Sequence, residues 1–236
     1  MHGSHDEIMA NLAAVRAGIE RACDRAGRDP ASVTLVAAAK TQSVDPVRWV
    51  FDAGVTAIGH NYVRELREMH GVVPGVRWHY IGALQTNTAH HVAALVDVVE
   101  TLAGERATGR LARRAAEAGR VVDALIEVDF TGSRTGMPPE EVRAFAARVA
   151  GLEGLRLRGL MTIPPAGGTP EEARPWFRRL RALREEISDD LPDVVDLSMG
   201  MSLDYGVAVE EGATMVRIGT ALFGPRAPAG APHRTP

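Results

Sequence analysis

An α/β chain folded as one (β/α)8 TIM barrel behind a leading N-terminal helix is predicted by three features of the sequence. Eight short apolar runs, at 33–39, 55–58, 78–81, 96–100, 122–128, 157–161, 194–197 and 214–218, alternate with helix-like stretches, the pattern of parallel strands joined by crossover helices. All eight units fit within 236 residues, a length at which barrels form a single domain. Hydrophobic residues make up 45% of the chain, enough for one large core. The barrel is expected over residues 1–226, and the Pro- and Ala-rich segment 227–236 is expected to be disordered.

The leading helix is read over residues 6–27, where Ile8, Leu12, Val15, Ile19 and Cys23 recur at helical spacing and Gly27 supplies a stop. The first strand, "VTLVAAAK", ends on Lys40. Asp45-Pro46 then opens a helix that stops at Gly54, and "TAIGHN" carries the second strand to Asn61. The third and fourth runs are the least distinct in pattern. Pro138-Pro139-Glu140 and Thr169-Pro170-Glu171 open the helices after strands five and six. "LSMGMS" ends strand seven and "VRIGT" ends strand eight.

Composition removes several function classes. A net charge of -3 gives no electrostatic reason to expect nucleic acid or an anionic membrane as partner. The N-terminus is polar and acidic, unlike a secretory leader, and no apolar stretch is long enough to span a bilayer. Cys23 is the single cysteine, which excludes an intramolecular disulfide and a cysteine-based zinc cluster. The histidines show no metal-ligating pattern. His79 reads as a core histidine and His60 is ambiguous. A cytoplasmic, monomeric protein with a small-molecule ligand is the expectation.

Barrel chemistry gathers where strands end, and phosphate is often held after strands seven and eight. Lys40, Asn61, "LSMGMS" and "VRIGT" would therefore share one rim. Gly200 permits close backbone approach, and Ser198 and Ser202 add hydroxyls beside a helix that starts near Asp204. Its amides favour an anion. Gly219 and Thr220 offer the same pairing from the neighbouring strand, and Arg217 can point into the same mouth. Of 27 Lys and Arg residues, 26 are arginine, and Lys40 is the exception. Guanidinium stays protonated and is a poor nucleophile, whereas a lysine amine can form a Schiff base.

The stretches "LVAAAKTQSVDPVRWVFDAGVTAIGHNYVREL", "WHYIGALQTN", "LRGLMTI" and "LSMGMSLDYGVAVEEGATMVRIGTALFGPR" resemble the YggS/PROSC family of pyridoxal phosphate homeostasis proteins over nearly the whole chain. The resemblance implies a barrel like the N-terminal domain of alanine racemase, with pyridoxal 5'-phosphate (PLP) held as an aldimine on Lys40. It implies that Ser198, Gly200, Ser202, Gly219 and Thr220 surround the phosphate, that Arg217 faces the pyridine nitrogen, and that Asn61 lines the ring. An arginine there disfavours protonation of the nitrogen and makes the ring a poorer electron sink. The chain departs from the family pattern at His60, Arg64, Ala83 and Thr88, where glutamate, glutamine, histidine and lysine respectively are common, and in "TGSRTGM", which lacks a lysine often seen before its second glycine.

The resemblance implies a protein of intracellular PLP homeostasis that buffers or delivers the cofactor, with PLP-dependent apoenzymes as partners and little catalysis. The alternative is an amino-acid racemase of the alanine racemase type. That reaction needs a second base opposite the lysine, supplied in the racemases by a tyrosine from a further domain of the partner subunit. Tyr62, Tyr80 and Tyr205 all lie within the expected barrel. A barrel that binds some other phosphorylated metabolite without a covalent link is a third reading, in which Lys40 is dispensable.

Overall fold

Each of the eight apolar runs forms a strand in the computed structural model, which describes residues 3–225. The strands are β1 (Thr34–Ala38), β2 (Ala57–His60), β3 (Arg77–Tyr80), β4 (Val98–Leu102), β5 (Val122–Val128), β6 (Leu155–Thr162), β7 (Asp196–Ser198) and β8 (Met215–Ile218). They pair in sequence order, all parallel, and β8 returns to β1 to close the barrel. Val36 accordingly lies opposite Ala57 on one side and Arg217 on the other. The expected disorder of 227–236 concerns residues outside those described.

After the leading α1 (His5–Ala26), a helix follows every strand: α2 (Val44–Asp52), α3 (Val63–His70), α4 (Ala89–Leu95), α5 (Glu105–Glu117), α6 (Pro139–Ala150), α7 (Pro170–Ser188), α8 (Tyr205–Glu210) and α9 (Thr220–Phe223). Observed boundaries stay within two residues of the expected ones: β2, β4 and β7 start two residues later than their apolar runs and β6 two residues earlier. At β4 the reason is Asp97, whose carboxylate accepts the Trp78 amide at 2.8 Å and so belongs to the entry of the neighbouring strand.

α1 is fixed at both ends by its own sequence. Ser4 and Glu7 form a reciprocal capping box, and Gly27, at φ 63°, takes the left-handed conformation that ends the helix. Its apolar stripe, Ile8, Leu12, Val15, Ile19 and Cys23, is buried. The helix packs on α2, α8 and α9, and the approach to α8 is close. A Cβ built on Gly18 would lie 2.1 Å from the Tyr205 hydroxyl. Arg28 donates to the carbonyls of Val209 and Ala213 at 2.6 and 2.9 Å, and Asn11 donates to Leu222 at 3.1 Å. α1 thereby braces the two short helices that follow the last strands.

The barrel interior is layered with the period of two that strands impose. Val36, Ala57, Val98, Leu125, Met161 and Met215 pack together as an apolar plug. Two residues further along the strands stand Glu100, Glu127 and Arg217, joined by His79 and Ser198, all buried. A polar layer thus separates the apolar plug from the rim where the strands end.

Candidate functional site

A cavity of about 380 Å³ opens at the carboxyl ends of the strands. Lys40, Asn61, Ser202, Arg217, Gly219 and Thr220 all line it, as the strand-end reasoning required. Ile81, Ile163, Met201 and Phe223 supply apolar wall. Lys40 leaves β1 half-buried, with its Nζ 5.1 Å from the centre of the Tyr62 ring. Asn61 is held from β2 by donating to the Ile81 carbonyl at 3.3 Å. The Ser202 hydroxyl accepts the Ala221 amide at 3.0 Å, which ties the loop after β7 to α9.

Ser198 and Gly200 are placed differently from the expectation that they surround a phosphate. The Ser198 side chain turns into the polar layer, where its hydroxyl donates to Glu100 at 2.5 Å and accepts from Arg217 at 2.6 Å. Its donor is therefore already engaged below the cavity. Gly200 sits behind the wall at φ 92°, its carbonyl accepts the Arg217 amide at 3.0 Å, and a Cβ there would lie 2.5 Å from that of Ala208. Glycine is required for the turn that brings β7 onto α8.

Arg217 rises from β8 through the polar layer to the cavity floor. Its other amino group donates to the Thr162 carbonyl at 2.9 Å, and Glu100 lies 3.8 Å from the first. Glu100 in turn holds His79 Nδ1 at 2.6 Å. Burial pushes the Glu100 carboxyl up, but the hydrogen bond and charge of His79, the charge of Arg217 and the Ser198 hydroxyl outweigh it and leave the group below its ordinary value. Since the carboxylate can only accept, His79 donates through Nδ1. Burial draws Arg217 below its ordinary value against the pull of Glu100, Glu127 and Asp204. Burial also raises Glu127, in the opposite direction from Glu100 in the same layer.

The turn that carries Lys40 is strained. Gln42 donates its amide to the Ala39 carbonyl at 3.0 Å, closing a four-residue turn. Thr41 occupies its third position at φ 65°, where glycine or asparagine is normal. A β-branched residue held so costs on the order of 1–3 kcal/mol. Its amide donates to Glu65 at 3.2 Å, and His60 Nδ1 lies 3.4 Å from the same oxygen.

Asn61 depends on a glycine across the rim. A Cβ on Gly82 would lie 2.1 Å from the Asn61 carbonyl oxygen, while the Gly82 carbonyl is itself fixed by the Thr101 hydroxyl at 2.6 Å. Gly82→Ala is expected to destabilise the fold by about 1–3 kcal/mol through overpacking. Thermal unfolding measures that loss, and an unchanged midpoint would show that the two backbones separate freely.

A barrel with a lysine after its first strand and a hydroxyl- and glycine-lined wall after its last two is of the alanine racemase N-terminal-domain class. The family model of that description matches residues 10–227. Alanine racemase from Clostridium difficile 630 superposes with a TM-score of 0.75 at 15% identity, covering 95% of this chain and 58% of that one, a likeness of fold. Among closer relatives, the pyridoxal phosphate homeostasis protein of Aquifex aeolicus (strain VF5) is 38% identical over 220 residues, 91% of this chain and 96% of its own length. That of Escherichia coli (strain K12) is 36% identical over 228 residues, 94% and 97% of the two chains. PipY of Synechococcus elongatus PCC7942, solved with PLP bound, has a TM-score of 0.82 at 32% identity and covers 92% of this chain and 100% of its own. The chain belongs to the family of pyridoxal phosphate homeostasis proteins.

Proposed function

We infer that the cavity binds pyridoxal 5'-phosphate as a Schiff base on Lys40 and that the protein buffers or delivers this cofactor in the cytoplasm, as a monomer serving PLP-dependent apoenzymes. The observation that carries the reading is one cavity in which the chain's single lysine meets Ser202, Gly219 and Thr220 from the last two strand ends, with Arg217 at its floor. The donor set suits the group: hydroxyls and backbone for a phosphate, a carboxamide and apolar wall for a ring, an amine for an aldehyde.

When bound, the cofactor supplies an electrophilic aldehyde carbon. Lys40 would supply the amine that condenses with it, its two N–H protons leaving with the carbonyl oxygen as water. Arg217, at the cavity floor, would offer a guanidinium donor to the ring nitrogen. A carboxylate at that place would hold a proton on the nitrogen and strengthen the ring as an electron sink, so guanidinium favours storage over catalysis. No helix among the described residues is long and apolar enough to cross a membrane.

Borohydride tests the link, since hydride addition converts the imine to a stable secondary amine. Cofactor-loaded protein should yield one pyridoxyl group, on the peptide containing Lys40, by intact and peptide mass analysis. An unmodified Lys40 peptide from protein shown to carry PLP would leave a non-covalent phosphate site.

A further inference from the structure

We propose that Glu65 is a positioning residue that straps down the Lys40 turn and so aims the amine into the cavity. Three observations outside the cavity wall meet here. Thr41 is the one non-glycine residue with positive φ among those described. It directly follows Lys40. Its own hydroxyl is spent on the Lys40 carbonyl at 2.6 Å, while Ala39 at the start of the turn stays on the strand ladder through its amide to Gly59 at 2.9 Å; the Lys40–Thr41 peptide itself is tied by the Thr41 amide to Glu65 at 3.2 Å.

Lys40 occupies the second position of the turn, between the Ala39 carbonyl and the Gln42 amide that close it. Its backbone direction is therefore set by the peptide that Glu65 holds. Without the strap, Thr41 is free to relax towards negative φ, which rotates the Lys40–Thr41 peptide and swings the lysine side chain. Glu65 can hold because it is held: it stands in the first turn of α3, with its side chain 22% exposed, beside a fully buried His60 at 3.4 Å. His60 rests on Trp78, with ring centroids 5.8 Å apart. Burial opposes ionisation of Glu65, but the His60 hydrogen bond and the Thr41 amide prevail and keep the carboxyl below its ordinary value.

The same β2–α3 segment carries Tyr62, whose ring faces the Lys40 amine at 5.1 Å. One short stretch thus contacts the amine directly and fixes the backbone that bears it. Strain at Thr41 has a use in this arrangement, because a turn that sits only where it is pulled gives the lysine a single direction.

The proposal rests on Lys40 as the covalent anchor, and the test separates the two. Wild type, Glu65→Ala, Thr41→Gly and the double variant are mixed with PLP, and the adduct trapped by borohydride is followed over time by mass. Total bound PLP is measured in parallel by equilibrium dialysis, and the fold by thermal unfolding. Glu65→Ala should form adduct about 10- to 100-fold more slowly, the cost of a misplaced reacting group. Saturation binding should hold, because the wall from β7 and β8 is untouched. Thr41→Gly accepts positive φ without strain, so the double variant should recover most of the wild-type rate. Equal rates in wild type and Glu65→Ala, or a double variant as slow as the single one, would overturn the strap while leaving the anchor in place. A wild type that binds PLP and traps no adduct would overturn both.

Discussion

Lys40→Arg should abolish the borohydride-trapped adduct and weaken PLP binding by at least about 100-fold, roughly 2.7 kcal/mol. Arginine is the informative replacement because it keeps the positive charge and most of the length. Any attraction of the cavity for a phosphate is retained, and what disappears is a nitrogen lone pair able to attack an aldehyde. Lys40 stands half-buried at the rim, so folding stability should change by no more than about 0.5 kcal/mol. Absorbance titration of PLP into both proteins, with mass analysis after reduction, measures the difference. The only competing amine is the N-terminal one, since no other lysine exists. Equal affinity in the two proteins would mean that the phosphate wall does all the binding and that the amine is incidental.

The parts of this site that could be read from the sequence are those at strand ends. Parallel strands covered by helices are buried on both faces and appear as unbroken apolar runs, so eight runs gave eight strands, and the residues just beyond them, Lys40, Asn61, Ser202, Gly219 and Thr220, gave the rim. The same uniformity hides which face of a strand looks inward. Ser198 could not be assigned to the interior from "VVDLSMG", and only its pairing with Met215 at the barrel wall settles the parity. Glu100 leaves a signal in the sequence, a carboxylate closing the apolar run "VDVVE". Glu65 left none, because an acid in the first turn of a helix is ordinary and its bond to Thr41 joins α3 to the loop after β1, 24 residues earlier in the chain.

Glu100→Ala should have the largest effect on stability, a loss of about 3–5 kcal/mol. The carboxylate is fully buried and accepts from His79 and Ser198 while facing Arg217. Its removal takes from a buried guanidinium the first of the carboxylates that pull on it and leaves His79 Nδ1 and the Ser198 hydroxyl without their acceptor. Glu100→Gln retains an acceptor and the side-chain volume and should lose less. In a chain of this size the alanine variant should melt on the order of 10 °C lower. The loss should depend on pH in one direction. Because the folded carboxyl lies below its ordinary value, the unfolded chain takes up the proton first as pH falls. The stabilisation is therefore complete above the ordinary glutamate value of about 4.3 and disappears as pH drops through the folded value. Urea unfolding of both proteins at pH 7 and at successively lower pH should show a gap that is constant near neutrality and narrows below about pH 4. A gap under about 1 kcal/mol at pH 7 would mean that Arg217 finds another partner, with Glu127 on β5, whose charge already acts on it, as the reserve. If the gap is large, the polar layer under the cavity is a fixed ionic scaffold, and the guanidinium it presents to the ligand cannot drift.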